Sequence, residues 1–187
     1  MILLTYKNNA FKDKTMENNF SVEEIKNSVE YQWRKHNIKI LLILWLILAI
    51  ATLFIPVLLI MGNGNYTFEF LGLGLLIWGA CVVGYGLLFG EFILFYYLKN
   101  RYLLKNFKSF KLYEVVLDTF STSYAYKGSI YYTVKISDEE ITKTVDTNPY
   151  FSNLLFSKFT PNDFNNKKVV GLYDNQEDKF YIIKKVN

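Results

Sequence analysis

The sequence predicts an α+β membrane protein in which a two-helix transmembrane hairpin is followed by a cytoplasmic five-stranded antiparallel β domain, an SH3-like or OB-like barrel. Two observations carry this prediction. The 59 residues from Ile40 to Leu98 contain only two charged side chains, Glu69 and Glu91, although 20% of the whole chain is charged. From about Phe110 onward, the apolar pattern changes from continuous to alternating, which is typical of strands with one buried face.

Two apolar runs, at about 40–61 and 70–98, are each long enough to form a transmembrane helix within the segment 38–98. A helix needs about 20 residues to cross the hydrocarbon core of a bilayer. Pro56 removes one backbone hydrogen bond and predicts a kink in the first helix. The turn-forming residues 62–69 leave room only for a short loop, so the two helices are predicted to be antiparallel neighbours.

Basic residues flank the hairpin on one side only, which predicts its orientation. The connecting loop has no Lys or Arg, whereas both outer ends are basic, and Lys and Arg are retained on the cytoplasmic side. Both termini of this multi-pass chain are therefore expected to be cytoplasmic, at the cell membrane. The juxtamembrane basic residues are Arg34, Lys35, Lys39, Lys99, Arg101 and Lys105.

The second apolar run contains a glycine stripe and one carboxylate. Gly72, Gly79 and Gly86 recur every seven residues, and Gly86 and Gly90 have GxxxG spacing, which predicts close helix packing. The packing partner is either the first helix or a second chain, whether a homo-oligomer or another protein. Glu91 is expected at the inner membrane interface, with an intramembrane proton or ion path as the alternative.

Residues 1–19 are expected to form a loosely ordered arm, and residues 20–37 an amphipathic juxtamembrane helix. Ser21 and Glu24 have the spacing of a capping box, which marks the start of this helix. Its apolar stripe either seats at the membrane surface or packs on the carboxy-terminal domain. The stripe consists of Val22, Ile25, Val29 and Trp33.

The carboxy-terminal domain, residues 110–187, is predicted to contain strands at 111–126, 130–137, 140–147, 167–173 and 179–185. Gly128-Ser129 suits a two-residue type II′ turn that pairs Tyr126 with Tyr131. That register predicts an exposed aromatic patch of Tyr124, Tyr126 and Tyr131. Its opposite face, the predicted core face, holds Tyr113, Val115, Leu117, Ser123, Ala125, Tyr132, Val134 and Ile136.

Residues 111–185 resemble the β domain of uncharacterised small bacterial membrane proteins, which have a valine-rich strand, a Tyr-Asp turn and a closing strand. Where that family normally carries a proline in the turn, this chain has residues 175–178. The resemblance implies a membrane-associated β module without known catalytic residues. The matching residues are Tyr132, Val134, Ile136, Val169, Val170, Tyr173, Asp174, Phe180 and Ile182.

Motif content disfavours several classes of function. There is one Cys and one His, and no HExxH, GxSxG or Walker sequence, so no catalytic residue, metal site or cofactor is expected. The basic cluster after the second helix is assigned to membrane topology and anionic headgroups, and nucleic acid is not an expected partner.

The chain is therefore expected to be a non-enzymatic integral membrane protein whose β domain is an interaction module. Its expected partners are the lipid bilayer and either a protein or a second copy of itself. The alternative is an immunity or transport-accessory protein that acts through its helical hairpin.

Overall fold

The computed structural model describes residues 18–63, 68–117, 120–123, 129–137, 142–150, 158–160 and 163–186. These residues form two compact units. The β unit comprises the described residues of segments 1–30 and 106–187, and the helical unit those of segment 31–105. The loosely ordered arm predicted at 1–19 lies almost wholly outside the described residues.

Helix α1 spans Val22–Lys26 and begins with the predicted capping box. The Ser21 hydroxyl accepts from the Glu24 amide (3.2 Å), and the Glu24 carboxylate accepts from the Ser21 amide (2.9 Å). The structure then interrupts the predicted single helix at residues 27–28, where the Ser28 hydroxyl donates to the Ile25 carbonyl at 2.6 Å. Helix α2 starts immediately afterwards, at Val29.

The predicted apolar stripe of this segment is only partly buried. Ile25 is fully buried, whereas Val22 is 47% exposed. Glu30, which is not part of the predicted stripe, is fully buried, and its carboxylate accepts from the Asn148 side chain at 2.8 Å. Since Ile25, Glu30 and Asn148 belong to the β unit, the segment packs as part of that unit, which was one of the two predicted alternatives.

The first apolar run forms two helices, α2 over Val29–Thr52 and α3 over Phe54–Asn63. The break precedes Pro56, which has no N–H to donate to the Thr52 carbonyl. At the break, the Leu53 amide donates to the Ile50 carbonyl, three residues back, at 3.1 Å. The Thr52 hydroxyl donates to the Leu48 carbonyl at 2.9 Å. The second run forms one helix, α4, over Phe68–Asn106, which extends eight residues beyond the predicted apolar end.

The β unit has six strands that form one curled sheet. They are β1 Lys111–Leu117, β2 Phe120–Ser123, β3 Ser129–Ser137, β4 Thr142–Thr147, β5 Lys167–Asp174 and β6 Lys179–Lys185. Their order across the sheet is β1-β5-β6-β4-β3-β2. A 3₁₀ turn at Phe107–Ser109 connects α4 to β1.

The sheet is mixed, and the prediction of a wholly antiparallel sheet is wrong at one pair. β4 and β6 run parallel, with Asp146 opposite Lys179 and Thr147 opposite Phe180. The cause is the long connection from β4 to β5, because β5 is not placed next to β4 and the position between them is left for β6. The β5–β6 hairpin then returns β6 to lie beside β4.

The predicted strand 111–126 is two strands with different partners. β1 pairs with β5, and β2 pairs with β3 in a register that places Thr122 opposite Ile130 and Ser123 opposite Ser129. The predicted two-residue turn at Gly128-Ser129 is therefore wrong, because Ser129 is already paired within β3. Five residues, 124–128, connect the two strands.

The core of the β unit consists of buried side chains of the sheet together with Ile25. Six of the residues predicted for the core face are at most 5% exposed, which confirms that part of the alternation. The other two, Ser123 and Ala125, lack a described side-chain environment. The six buried residues are Tyr113, Val115, Leu117, Tyr132, Val134 and Ile136.

Candidate functional site

The helical unit is held together by three tryptophans. The Trp45 indole N–H of α2 donates to the Val82 carbonyl of α4 at 3.3 Å, and the Trp78 indole of α4 donates to the Ala49 carbonyl of α2 at 2.9 Å. Nearer the termini, the rings of Trp33 and Tyr96 pack edge to face, with centroids 5.7 Å apart.

These contacts define the register of an antiparallel helix pair. As the residue number rises from 33 to 49 along α2, the number of the contacting residue falls from 96 to 78 along α4. By length and composition, two stretches of helix are candidate membrane spans, Val29–Leu58 and Leu71–Ser109. Only 11% and 6% of their most apolar windows are buried, whereas a core helix of a soluble protein would be mostly buried.

The glycine stripe of α4 contacts α2 at one position only. A Cβ added at Gly86 would lie 3.5 Å from the Trp45 indole nitrogen. A Cβ at Gly72, Gly79 or Gly90 would meet no heavy atom within 4 Å among the described residues. Gly86 therefore lies against Trp45, where an added Cβ would make an ordinary van der Waals contact, whereas a Cβ at the other three glycines would make none with the described residues.

Glu91 lies on an exposed face of α4. Extending the register of the helix pair places Glu91 close to the level of Asn37. Asn37 precedes the apolar run of α2, which begins at about residue 40. Its neighbours one turn away on the same face are also exposed, Leu87 by 69% and Leu94 by 55%. The structure thus places this carboxylate near the end of the apolar zone rather than at its centre.

The six predicted juxtamembrane cations separate into three environments. Arg34 is buried, with 4% of its surface exposed. Lys99 is half-buried, and its ammonium lies 5.9 Å from the centre of the Phe95 ring and 6.0 Å from that of Tyr102. The other four are exposed: Lys35, Lys39, Arg101 and Lys105.

The β unit contains a buried polar cluster that the sequence analysis did not find. The Tyr181 hydroxyl donates to Glu177 Oε2 at 2.7 Å and lies 3.4 Å from Asp174 Oδ2. Asp174 is fully buried, and its other oxygen accepts from the Gln176 amide at 2.8 Å. Burial, the bond to Glu177 and the nearby charge of Glu30 all raise the pKa of Tyr181.

A second polar group lies at the surface of the β5–β6 turn. The Lys143 ammonium is 2.8 Å from Asp178 Oδ1, and the same oxygen accepts from the Tyr173 hydroxyl at 3.1 Å. The hydrogen bond to Lys143 lowers the pKa of Asp178. Asp178 has φ 53°, in the left-handed region. The ion pair and the hydroxyl bond hold its side chain at this end of the turn.

Two members of the predicted aromatic patch, Tyr124 and Tyr126, lie outside the described residues. Tyr131 is partly exposed on β3, opposite Ser121 rather than Tyr126. Within the described residues, no group of three or more His, Cys, Asp or Glu is arranged to hold a metal ion.

Together, the two units define an α+β chain with two long apolar helices and a curled mixed sheet. We find no match to the chain among protein-family models, curated proteins or solved structures. The resemblance of residues 111–185 to a bacterial membrane β domain stays a prediction.

Proposed function

We propose that this chain is an integral protein of the cell membrane, anchored by the helical unit, and that its β unit is a non-enzymatic interaction module on the cytoplasmic side. The observation that carries the proposal is that the β unit is assembled from two segments, one before and one after the helical unit in the sequence.

Specific contacts join the two flanking segments within the β unit. The Asn18 amide donates to the carbonyls of Phe107 and Phe110, and Glu30 accepts from Asn148. If residues 31–105 cross a membrane, both flanks must then lie on the same side of it. This agrees with two spans in an antiparallel hairpin, and the basic residues at the outer ends favour the cytoplasmic side.

An edge strand of the sheet offers a site for a protein partner. β1 is an outermost strand that pairs along its length with β5, and its Leu117 carbonyl also accepts from the Asn166 amide at 2.8 Å. Val116 of β1 is 51% exposed and presents an apolar side chain on this strand. An extended segment of a partner can add to such an edge through main-chain hydrogen bonds, with side-chain contacts that provide specificity.

Val116→Lys tests this proposal, because a lysine on an edge strand discourages the addition of another strand. The full-length chain would carry a photo-crosslinking amino acid at Lys111 and be irradiated in native membranes. We expect a protein adduct with the parent chain and its loss by more than about tenfold in Val116→Lys, without loss of the fold by circular dichroism. Val186→Lys is the matched control, since Val186 is 38% exposed and follows the last strand. An adduct that persists in Val116→Lys would contradict the edge-strand site.

The open glycines of α4 favour a second candidate function, in which the hairpin itself binds a membrane partner, as in an immunity or transport-accessory protein. Gly72, Gly79 and Gly90 leave space that α2 does not fill. Close approach of a second helix would use that space.

A further inference from the structure

All of the chain's net charge lies in the helical unit. Residues 31–105 contain six Lys or Arg and two Glu, which accounts for the formal charge of +4. The segments of the β unit contain 15 basic and 15 acidic residues. The six cations all lie between residues 34–39 or 99–105, Glu91 is level with Asn37 at the same end, and Glu69 lies at the other end of the hairpin, so a formal charge of +5 is concentrated at one end.

Four of these cations form two exposed pairs, Lys35 with Lys39 on α2 and Arg101 with Lys105 on α4. Each pair is spaced four residues apart, which places its members on one helix face, where like charges repel and destabilise the helix. Among the described residues, none of the four side chains makes an ion pair or hydrogen bond. Both pairs therefore lack a counter-ion within the described protein.

An aromatic group lies between the two basic pairs. The register of the helix pair brings Trp33 and Tyr96 to the same level, and next to them Phe95 is 54% and Tyr97 57% exposed. Along the axis of the helix pair, this aromatic level lies between the level of Lys39 and the level of Arg101. Aromatic residues of this kind concentrate at the headgroup level of membranes. In a membrane, lipid headgroups next to these rings would supply the counter-ions of the two basic pairs.

We propose that Lys35, Lys39, Arg101 and Lys105 bind the phosphates of anionic phospholipid headgroups, so that this end of the hairpin prefers an anionic leaflet. The inference rests on the proposed membrane location and adds to it the chemical class of lipid. Anionic lipid attracts basic residues next to a membrane helix, and the energy per Lys or Arg corresponds to about a fivefold change in binding.

The test uses the full-length chain in nanodiscs that contain equal amounts of phosphatidylglycerol and phosphatidylcholine. Native mass spectrometry of the released protein counts the lipids of each kind that stay bound. We expect phosphatidylglycerol to be enriched on the parent chain and the enrichment to fall at least about tenfold in K35Q/K39Q/R101Q/K105Q. Gln retains good helix propensity, so these substitutions leave α2 and α4 intact.

The control is K135Q/K158Q/K167Q/K185Q, which removes four exposed lysines from the β unit and should keep the enrichment. An equal fall in the control, or no enrichment on the parent chain, would overturn the inference. Excess inorganic phosphate should leave the enrichment unchanged, and its complete loss would instead identify free phosphate as the ligand. Resistance of the chain to carbonate extraction from cell membranes tests the membrane location separately, because a readily extracted chain contradicts the proposed function whatever the lipid preference.

Discussion

Gly171 is a residue at which the β unit tolerates no side chain. A Cβ there would lie 2.2 Å from the Phe180 ring and 2.8 Å from the Tyr181 carbonyl oxygen. Phe180 is fully buried, so its ring has little freedom to move aside. Gly171 also adjoins the irregularity between Val170 and Gly171 in the pairing of β5 with β6. The bare backbone therefore permits the contact between β5 and β6.

Gly171→Ala is expected to destabilise the β unit by about 1–3 kcal/mol, the usual cost of adding volume to a packed core. Hydrogen exchange followed by mass spectrometry should show faster exchange of the β5 and β6 amides. Gly79→Ala is the matched control, because nothing lies within 4 Å of its added Cβ. Unchanged exchange in Gly171→Ala would mean that Phe180 can repack.

Tyr181 is expected to make the stability of the β unit sensitive to alkaline pH. Its folded-state pKa is raised above the ordinary value of 10.0, mainly by burial and by its bond to Glu177. Its contribution is therefore complete below pH 10 and is lost above it, as the hydroxyl ionises in the unfolded chain. The loss approaches about 1.4 kcal/mol per pH unit, the linkage slope for one proton.

Tyr181→Phe provides the measurement. At neutral pH it should lower the free energy of unfolding by about 1 kcal/mol, because a buried hydrogen bond is lost. Both chains would be unfolded with urea between about pH 8 and about pH 11, a range that spans the ionisation of an ordinary tyrosine. The difference between their free energies of unfolding should shrink above about pH 10. A difference that stays constant over this range would contradict the linkage.

At the scale of elements, the helix pair distinguishes two kinds of glycine. A Cβ at Gly86 already touches the Trp45 indole nitrogen, so the further atoms of Leu would crowd that ring, whereas a Cβ at Gly79 meets no atom of the described residues within 4 Å. We expect Gly86→Leu to lower the thermal midpoint of the helical unit in detergent and Gly79→Leu to leave it unchanged. If the β unit is the interaction module, Gly79→Leu also keeps the partner adduct. Loss of the adduct in Gly79→Leu, with an unchanged midpoint, would favour the hairpin as the binding surface.

Local patterns predicted most of the elements, because their causes are local. The capping box at Ser21 and the extent of the last two strands follow from neighbouring residues. The β2–β3 register did not follow, because the turn signal at Gly128-Ser129 predicts a pairing of Tyr126 with Tyr131, whereas β2 places Ser121 opposite Tyr131. The parallel β4–β6 pair joins segments more than 30 residues apart, and no local pattern marks it.

The candidate sites divide in the same way. The basic residues at the outer ends of the helices were noticed because charge asymmetry is visible along the sequence, and their place beside a membrane stays a prediction. The burial of Glu30 and Arg34 and the cluster around Tyr181 were missed. Charged residues are rarely buried unless they find partners. Glu30 finds Asn148, 118 residues away, and alternation alone cannot reveal a partner at that distance.

At the scale of the whole molecule, the two flanks of the helical unit belong to one β unit, and this predicts the topology. Alkaline phosphatase, which is active only outside the cytoplasm, should be inactive when fused after Asn187. The same reporter fused after Asn63, the end of α3, should be active, because only one span would precede it. Activity after Asn187 would overturn the cytoplasmic position of the β unit.

The division of the β unit by the 75 residues of the helical unit also sets an order of events during synthesis. Residues 18–30 leave the ribosome before either apolar helix, yet Glu24 contacts Lys184, close to the end of the chain. β1 likewise awaits β5, its hydrogen-bonded neighbour, until more than 50 further residues have been made. The apolar helices are therefore synthesised before the β unit can close. A nascent chain arrested before β5 would contain both apolar runs while the β unit still lacked β5 and β6.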